Sequence, residues 1–419
     1  MKRESSPRVL CISPFFAPIA NAEAFCGGKT ALSLLDANVE LKVFSVDYSG
    51  HPKFSIDPSL LWQRLESVTD STPPDAKKPK FLSGPLAIRY LSPEWSRWIS
   101  AIVAKAKRLH REMPFDLIYS RSLPNIAHIA AFWVARAINR PWVANFNDPW
   151  DLEGAHLLPQ DREKRRRTPK LIISDAWLKR IMRTADALTF PCSRLKDYHL
   201  RLAPVGGKCV VIPHIGHACD FKENSPLFQL VHAGSLGSGE STRRDSSVNL
   251  LRALRSFLGQ QPEARKHFRL VLVGPEDRPT LALAQEFGLN DIVSCTGRVS
   301  YAESLKWMRR ATVCLLVEGE MPEGIFLPSK FPDYIQSDRP VIALSPRNGT
   351  IADLAQFSGV TRVSVHETEE IESAISKHYK GFETGLLESL KPSRELKERY
   401  DGITVGKQLR ELFIAVSSR

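Results

Sequence analysis

Lys330 and Asp333 stand three residues apart at the head of a helical pattern, PSKFPDYIQSDRPVIA over residues 328–343. That spacing suits a bound nucleotide. The amides at a helix N-terminus, joined by the Ser329–Lys330 pair, make a site for an anion. Asp333, one turn on, can accept hydrogen bonds from ribose hydroxyls, as acidic groups do in other nucleotide folds. The same residues also describe a capped surface helix with a stabilising acid in its first turn. The spacing alone leaves both open.

A second anion-binding pattern runs through HAGSLGSGESTRRDSSVNLLRAL, residues 232–254. An apolar run ends at Gly234 and Ser235, and Gly237 and Gly239 follow before a helix opens at Arg243 and Arg244. Glycines let backbone approach an anion closely, and an arginine can fork onto a phosphate. The spacing is neither that of a P-loop nor G-x-G-x-x-G, so a plain connecting loop is the alternative.

In the N-terminal half, FNDPWD places Asp148 just beyond an apolar run. A carboxylate there could orient or deprotonate a reacting hydroxyl; a helix-capping aspartate is the alternative. YSRSLP sets Arg121 at a comparable strand end, where a structural ion pair serves equally, and His214 follows VVIP near the middle of the chain. The eleven histidines show no H-x-x-x-H spacing, so no metal site is predicted. No G-x-S-x-G elbow supports serine hydrolysis.

Positioning these groups takes more than one core. The chain has 419 residues, enough for two or three domains. Its 43% hydrophobic and 25% charged composition is that of a globular protein, neither disordered nor fibrous. Apolar runs alternate with helical stretches: RVLCIS (8–13), VELKVFSV (39–46), FDLIYS (115–120), PWVANF (141–146), ADALTFPC (185–192) and KCVVIP (208–213). The pattern restarts with FQLVHAG (228–234), FRLVLVG (268–274), DIVSCTG (291–297), TVCLLVE (312–318) and RPVIAL (339–344). Such alternation predicts parallel sheets flanked by helices. The expected fold class is therefore α/β, with two Rossmann-like, doubly wound domains. Residues 1–218 would form the first, 219–395 the second, and 396–419 a C-terminal helical segment. Residues 52–85 are expected to be loop with a short helix. Sheets of this kind bind ligands beyond the carboxyl ends of their strands, which predicts a site in a cleft that the two domains face.

Taken in order, these segments resemble the GT-B glycosyltransferases of the family 4 type. The resemblance runs over essentially the whole chain. It is carried by NAEAFCGGKTALSLL, FDLIYSRS, VANFNDPW, ADALTFPCSRLKDYH and VVIPH, then by HAGSL with its later arginines, LVLVG, GRVSYAESLKWM and PSKFPDYIQSDRPVIA. It implies a retaining transfer of a sugar from a UDP- or GDP-linked donor to a glycan or lipid-linked acceptor, with no metal or other cofactor. The donor would sit on the C-terminal domain, at Gly234, Ser235, Arg243, Arg244, Ser329, Lys330 and Asp333. Glu323 would join Asp148 as a catalytic residue, and Gly27, Gly28 and Arg121 would lie on the acceptor side. A departing diphosphate gathers negative charge, which arginine, lysine and helix N-termini must stabilise if no Mg²⁺ is present.

One departure from the family pattern stands out. The family carries two glutamates with seven residues between them, the second seven residues ahead of a Pro-Val-Ile. Here the second acid is Asp333, but eight residues before it is Ile325; Glu323, in a Glu-Gly step, lies ten before it. Either a two-residue insertion still brings Glu323 to the sugar, or the first acid is absent and the transferase is weakened or inactive. A nucleotide-sugar epimerase and a non-catalytic nucleotide-binding or scaffold protein of the same fold are the alternatives.

Lys and Arg total 58 against 46 Asp and Glu, a net charge of +12. That balance favours anionic partners, but no RNA or DNA motif accompanies it, so nucleic acid is not expected. Residues 162–183 hold nine Lys or Arg and two acids. This is either a solvated basic loop before a packed helix, with Leu171, Trp177, Leu178, Ile181 and Met182 on one side, or a patch that docks on anionic lipid. Seven scattered cysteines without C-x-x-C suit a reducing compartment. No apolar stretch is long enough to span a membrane, and Pro14 and Pro18 interrupt the one run that imitates a signal peptide. The expectation is a cytoplasmic protein of envelope or exopolysaccharide synthesis, peripheral on the inner face of the cell membrane if the basic patch docks.

Overall fold

A computed structural model of the chain describes residues 6–48, 50–51, 54–73, 93–150, 168–221, 225–237 and 243–418. The chain divides into two compact units, residues 1–214 with 402–419 and residues 215–401.

In the first unit the apolar runs become β1 (Arg8–Ile12), β2 (Glu40–Val46), β4 (Leu117–Arg121), β5 (Trp142–Asn145), β6 (Ala187–Phe190) and β7 (Cys209–Val211), joined by β3 (Thr69–Thr72). They form one sheet in the order β3-β2-β1-β4-β5-β6-β7, and every pairing is parallel. All of β4, β5 and β6 is buried, as a continuous apolar run demands when helices cover both faces of a sheet. The alternating helices are α1 (Ala22–Asp36), α2 (Pro93–Glu112), α3 (Ile126–Ile138), α4 (Pro169–Thr184) and α5 (Ser193–Leu202). Asn21 caps α1 by accepting the Ala24 amide at 2.7 Å, which sets the start of the helix at Ala22. Gly27 and Gly28 therefore lie inside α1 and not ahead of it. A Cβ on Gly28 would come within 2.7 Å of both Ala17 and Trp62; glycine is there because helix and neighbours touch.

The second unit holds β8 (Phe228–Ala233), β9 (Phe268–Val273), β10 (Val293–Cys295), β11 (Val313–Val317), β12 (Val341–Leu344) and β13 (Val360–Val363). Their order is β10-β9-β8-β11-β12-β13, again parallel throughout. Its helices are α6 (Arg244–Gln260), α7 (Ala264–His267), α8 (Arg278–Glu286), α9 (Tyr301–Arg310), α10 (Phe331–Gln336), α11 (Thr350–Leu354), α12 (Thr368–Glu383) and α13 (Arg394–Arg399). Leu230, Leu254, Phe257, Phe268, Leu315 and Tyr379 are among the side chains that fill the core.

The C-terminal residues do not make a segment of their own. The α13 helix stays with the second unit, whereas α14 (Gly402–Ser417) belongs to the first, where it packs on α1, β4 and β5. The units part at 214/215 and 401/402, a few residues from the boundaries at 218/219 and 395/396 expected from the restart of the alternating pattern. A Cβ on Gly406 would lie 2.5 Å from the Ser33 carbonyl oxygen, so α14 meets α1 backbone to backbone. Among the described residues no helix is long and apolar enough to cross a membrane.

Phe413 of α14 is fully buried, its ring 5.1 Å from that of Tyr119. Phe413→Ala should therefore cost about 3–5 kcal/mol, read as a lower unfolding midpoint in denaturant. A loss below about 0.5 kcal/mol, the range of surface substitutions, would mean that the last helix is not part of the first unit's core.

Candidate functional site

The strand order of each sheet reverses once, between β1 and β4 in the first unit and between β8 and β11 in the second. At such a point the chain leaves neighbouring strands in opposite directions, and a crevice opens beyond their carboxyl ends. Of the candidate residues, Gly234, Ser235 and Lys330 stand at the second of these places and Arg121 and Asp148 at the first.

In the second unit β8 ends at Ala233, and Gly234 follows with φ +107°. Side chains other than glycine rarely adopt that backbone, and a Cβ there would also lie 3.1 Å from Lys330 Nζ. The Lys330 ammonium donates to the Ala233 carbonyl and stands 3.4 Å from His232 Nε2. Ser235 Oγ accepts the Gly237 amide at 2.9 Å, which folds the start of the glycine loop back on itself; Gly239 lies outside the described residues.

On the other side of this switch point, Glu318 follows β11 and is 7% exposed. Ser246 Oγ donates to its carbonyl at 2.9 Å and so ties the first turn of α6 to the strand end. Burial pushes the Glu318 carboxyl up to about 8, against the pull of Arg243. At neutral pH it is therefore mostly a neutral acid that can donate a hydrogen bond. The arginine doublet divides: Arg243, half-buried at the cap of α6, acts on Glu318 and His232, whereas Arg244 is exposed.

The PSK segment differs from expectation in two respects. Its helix, α10, is only six residues long, so the aligned backbone dipole adds little there and the positive charge is that of Lys330. Ser329 is half-buried immediately before it. Asp333 is 3% exposed, and its Oδ1 accepts both the His217 amide at 2.9 Å and the Tyr301 hydroxyl at 3.0 Å. The carboxylate thus clamps two neighbouring segments onto α10. Glu323 is half-buried in the loop after β11. That loop is fixed by bonds from Gly324 N to Asn348 O (2.8 Å) and from Thr350 N to Gly324 O (2.7 Å).

At the first unit's switch point, Arg121 ends β4 and Asn147 and Asp148 follow β5. There they meet a residue that sequence spacing does not single out, Glu23 in the first turn of α1. Asn147 Nδ2 donates to Glu23 Oε1 at 2.6 Å, and Arg121 Nη2 lies 3.8 Å away. Arg121 Nη1 donates to the Tyr119 hydroxyl at 3.1 Å. Burial holds the Glu23 carboxyl well above its usual range, with Arg121 opposing and Asp148 reinforcing the shift. Burial also takes His214 down to about 3, helped by the charges of Arg121 and Lys29. Gly28 serves the packing of α1 described above, and a Cβ on Gly27 would lie 3.2 Å from the Phe16 ring and 3.3 Å from Ser13 Oγ.

In α4, Leu171, Trp177, Leu178, Ile181 and Met182 are all buried, so this apolar face is committed to the core of the unit. Arg165, Arg166 and Arg167 lie outside the described residues.

Residues 33–215 match the family model for Glycosyltransferase Family 4. The structure of HepE from Anabaena in complex with UDP superposes with a TM-score of 0.66 at 15% identity, over 97% of this chain and 100% of that one. This is the GT-B glycosyltransferase fold, and the chain resembles family 4. Other GT-B structures agree. Sucrose-phosphate synthase from Thermosynechococcus elongatus gives 0.64 at 15% identity over 98% and 99% of the two chains. UDP-GlcNAc 2-epimerase from Methanocaldococcus jannaschii gives 0.54 at 11% over 98% and 99%. No curated protein sequence matches significantly. The family 4 match falls on the first unit of this GT-B chain, and the β8–β11 switch point lies in the other.

The raised Glu318 carboxyl makes a prediction about pH. The native state keeps this proton up to about pH 8, while an unfolded glutamate releases it near its ordinary value of about 4.3. Between those values the native state binds more protons, so this group's contribution to stability falls as pH rises. Glu318→Gln cannot ionise. Its stability relative to wild type should therefore grow from pH 5 to pH 9 by a few kcal/mol, since each tenfold change in proton affinity is worth about 1.4 kcal/mol. Denaturant unfolding of both proteins at several pH values is the measurement. A constant difference would show that the Glu318 carboxyl is solvated.

Proposed function

We propose that the chain is a retaining glycosyltransferase that moves a sugar from a UDP- or GDP-linked donor to a glycan or lipid-linked acceptor. The donor binds the second unit and the acceptor the first. The observation that carries this reading is the Lys330 ammonium at the end of β8, bonded to the Ala233 carbonyl and 3.4 Å from His232 Nε2 beside Gly234, with Arg243 half-buried at the cap of α6. HepE, of the same fold, has been solved with UDP and with UDP-glucose.

The chemistry follows from charge. As the glycosidic C–O bond breaks, the diphosphate gains negative charge and the sugar becomes oxocarbenium-like. Fixed cations aimed at the leaving group stabilise that state without reorganising, a role that falls to Lys330 and Arg243 in place of a metal ion. A neutral Glu318 is compatible with a diphosphate beside it; an ionised one would repel it. Retention follows if the acceptor hydroxyl attacks from the face the phosphate leaves, passing its proton to the departing oxygen. Glu323 would hold the sugar, and Asp148 with Glu23 and Arg121 the acceptor. The basic residues within 162–183 would meet the anionic membrane that carries a lipid-linked acceptor in envelope or exopolysaccharide synthesis.

UDP or GDP should raise the melting temperature of the wild type, because ligand binding to the native state stabilises it by mass action. Replacing both Arg243 and Lys330 by alanine should remove that rise, since charge-assisted hydrogen bonds are worth about 1.5–3 kcal/mol each. Glu323→Ala should keep nucleotide binding and lose turnover. Unchanged nucleotide affinity in the double variant would refute the donor site. Donor conversion without acceptor would identify an epimerase, and binding without turnover a non-catalytic protein.

A further inference from the structure

His232 lies one residue before the end of β8 and is fully buried. Three groups face its ring. Nδ1 is 2.9 Å from the Leu315 carbonyl of the adjoining strand β11. Nε2 is 3.1 Å from the Ser235 carbonyl and 3.4 Å from Lys330 Nζ. Burial, reinforced by the charges of Lys330 and Arg243, holds the ring well below the usual histidine range, so it is neutral and carries one N–H.

The tautomer follows from the partners. A proton on Nε2 would point at Ser235 O and leave the Nδ1 lone pair 2.9 Å from the Leu315 carbonyl, acceptor against acceptor. A proton on Nδ1 donates to Leu315 O and turns the Nε2 lone pair toward Lys330, whose ammonium is donor-only. That ammonium offsets the remaining contact between Nε2 and Ser235 O. The second tautomer is the consistent one.

A lysine stem has high rotamer freedom. Here the ammonium is held at two points, by Ala233 O and by His232 Nε2, above a glycine whose missing Cβ leaves the room. A carboxylate in place of the imidazole would also hold Lys330, but as an ion pair it would cancel much of the field available to an anion. A neutral acceptor fixes the ammonium and leaves its charge intact.

We propose that His232 is a positioning residue, whose Nε2 holds the Lys330 ammonium at the β8–β11 switch point for the diphosphate of the donor. This rests on the donor assignment proposed above.

The test is titration calorimetry with UDP and GDP, and with uridine and guanosine as ligands lacking phosphate. His232→Phe keeps the ring volume and removes both nitrogens, and Lys330→Met removes the charge. Each should weaken nucleoside diphosphate binding by roughly tenfold, the effect of about 1.4 kcal/mol, and leave nucleoside binding unchanged. The double variant should bind no more weakly than Lys330→Met alone. His232→Gln can return an acceptor near the Nε2 position and should recover most of the affinity, whereas His232→Asn, which reaches only the Nδ1 position, should not.

Losses that multiply in the double variant, or equal losses for nucleoside and diphosphate, would overturn the proposal and leave His232 as packing. If His232→Phe fails to fold, the Gln and Asn variants decide alone, and equal affinity in those two overturns it. A wild type that binds neither nucleoside diphosphate overturns the donor assignment itself, a different result from binding that is indifferent to His232.

Discussion

Two parallel sheets with strands buried on both faces leave few places for charge. Along β4, β5, β6, β11 and β12 every residue is buried, and the backbone groups are satisfied along the strand ladders. A charged side chain among these strands would face a desolvation cost of several kcal/mol unless well paired. Polar chemistry is thereby driven to the carboxyl ends, and at the two switch points the departing connections leave it room. Arg121 and Glu23 occupy one, and Lys330, Arg243, His232 and Glu318 the other.

Burial at these points biases the carboxyls and imidazoles toward their neutral forms. Glu23 and Glu318 are both pushed toward their neutral forms, and His214 and His232 are both held neutral. The acids thus lose the negative charge that would cancel the cations, while arginine stays protonated under all ordinary conditions. In the second unit this concentrates positive potential at the end of β8. The chain's net charge of +12 would draw many anions to its surface; the switch point gives one of them a fixed cation to meet.

The fold was largely legible because parallel strands covered on both faces must be continuous apolar runs. RVLCIS, FDLIYS, FRLVLVG and TVCLLVE could hardly be anything else, and all became strands. The elements that escaped were edges. β3 has the sequence TDST and β13 the sequence VTRV; each pairs on one side only, so neither needs an apolar run. The destination of α14 was illegible for a different reason. Its amphipathic pattern says that one side is buried but not against which unit.

The site was legible in its cations and less so in its carboxyls. Lys330 and Gly234 were marked by local spacing, and the structure sets them side by side. Glu23, Glu318 and His232 carried no local signal, because what makes them unusual is burial at a strand junction formed by residues far apart in sequence. Asp333 shows the converse. Its spacing invited a ribose contact, yet its Oδ1 is already engaged by Tyr301 and the His217 amide. The departure of Glu323 from the family spacing belongs with the well-fixed loop that carries it, tied to the head of α11 through Gly324.

The central claim is that the β8–β11 switch point is a diphosphate site, and a crystal structure of the chain grown with UDP tests it most directly. The account predicts that a phosphate oxygen lies within hydrogen-bond distance of Lys330 Nζ, with Arg243 on the same diphosphate and the His232 ring still bonded to Leu315. A diphosphate seated elsewhere, with Lys330 still bonded to Ala233 and beside His232 and no phosphate oxygen in its reach, would contradict it.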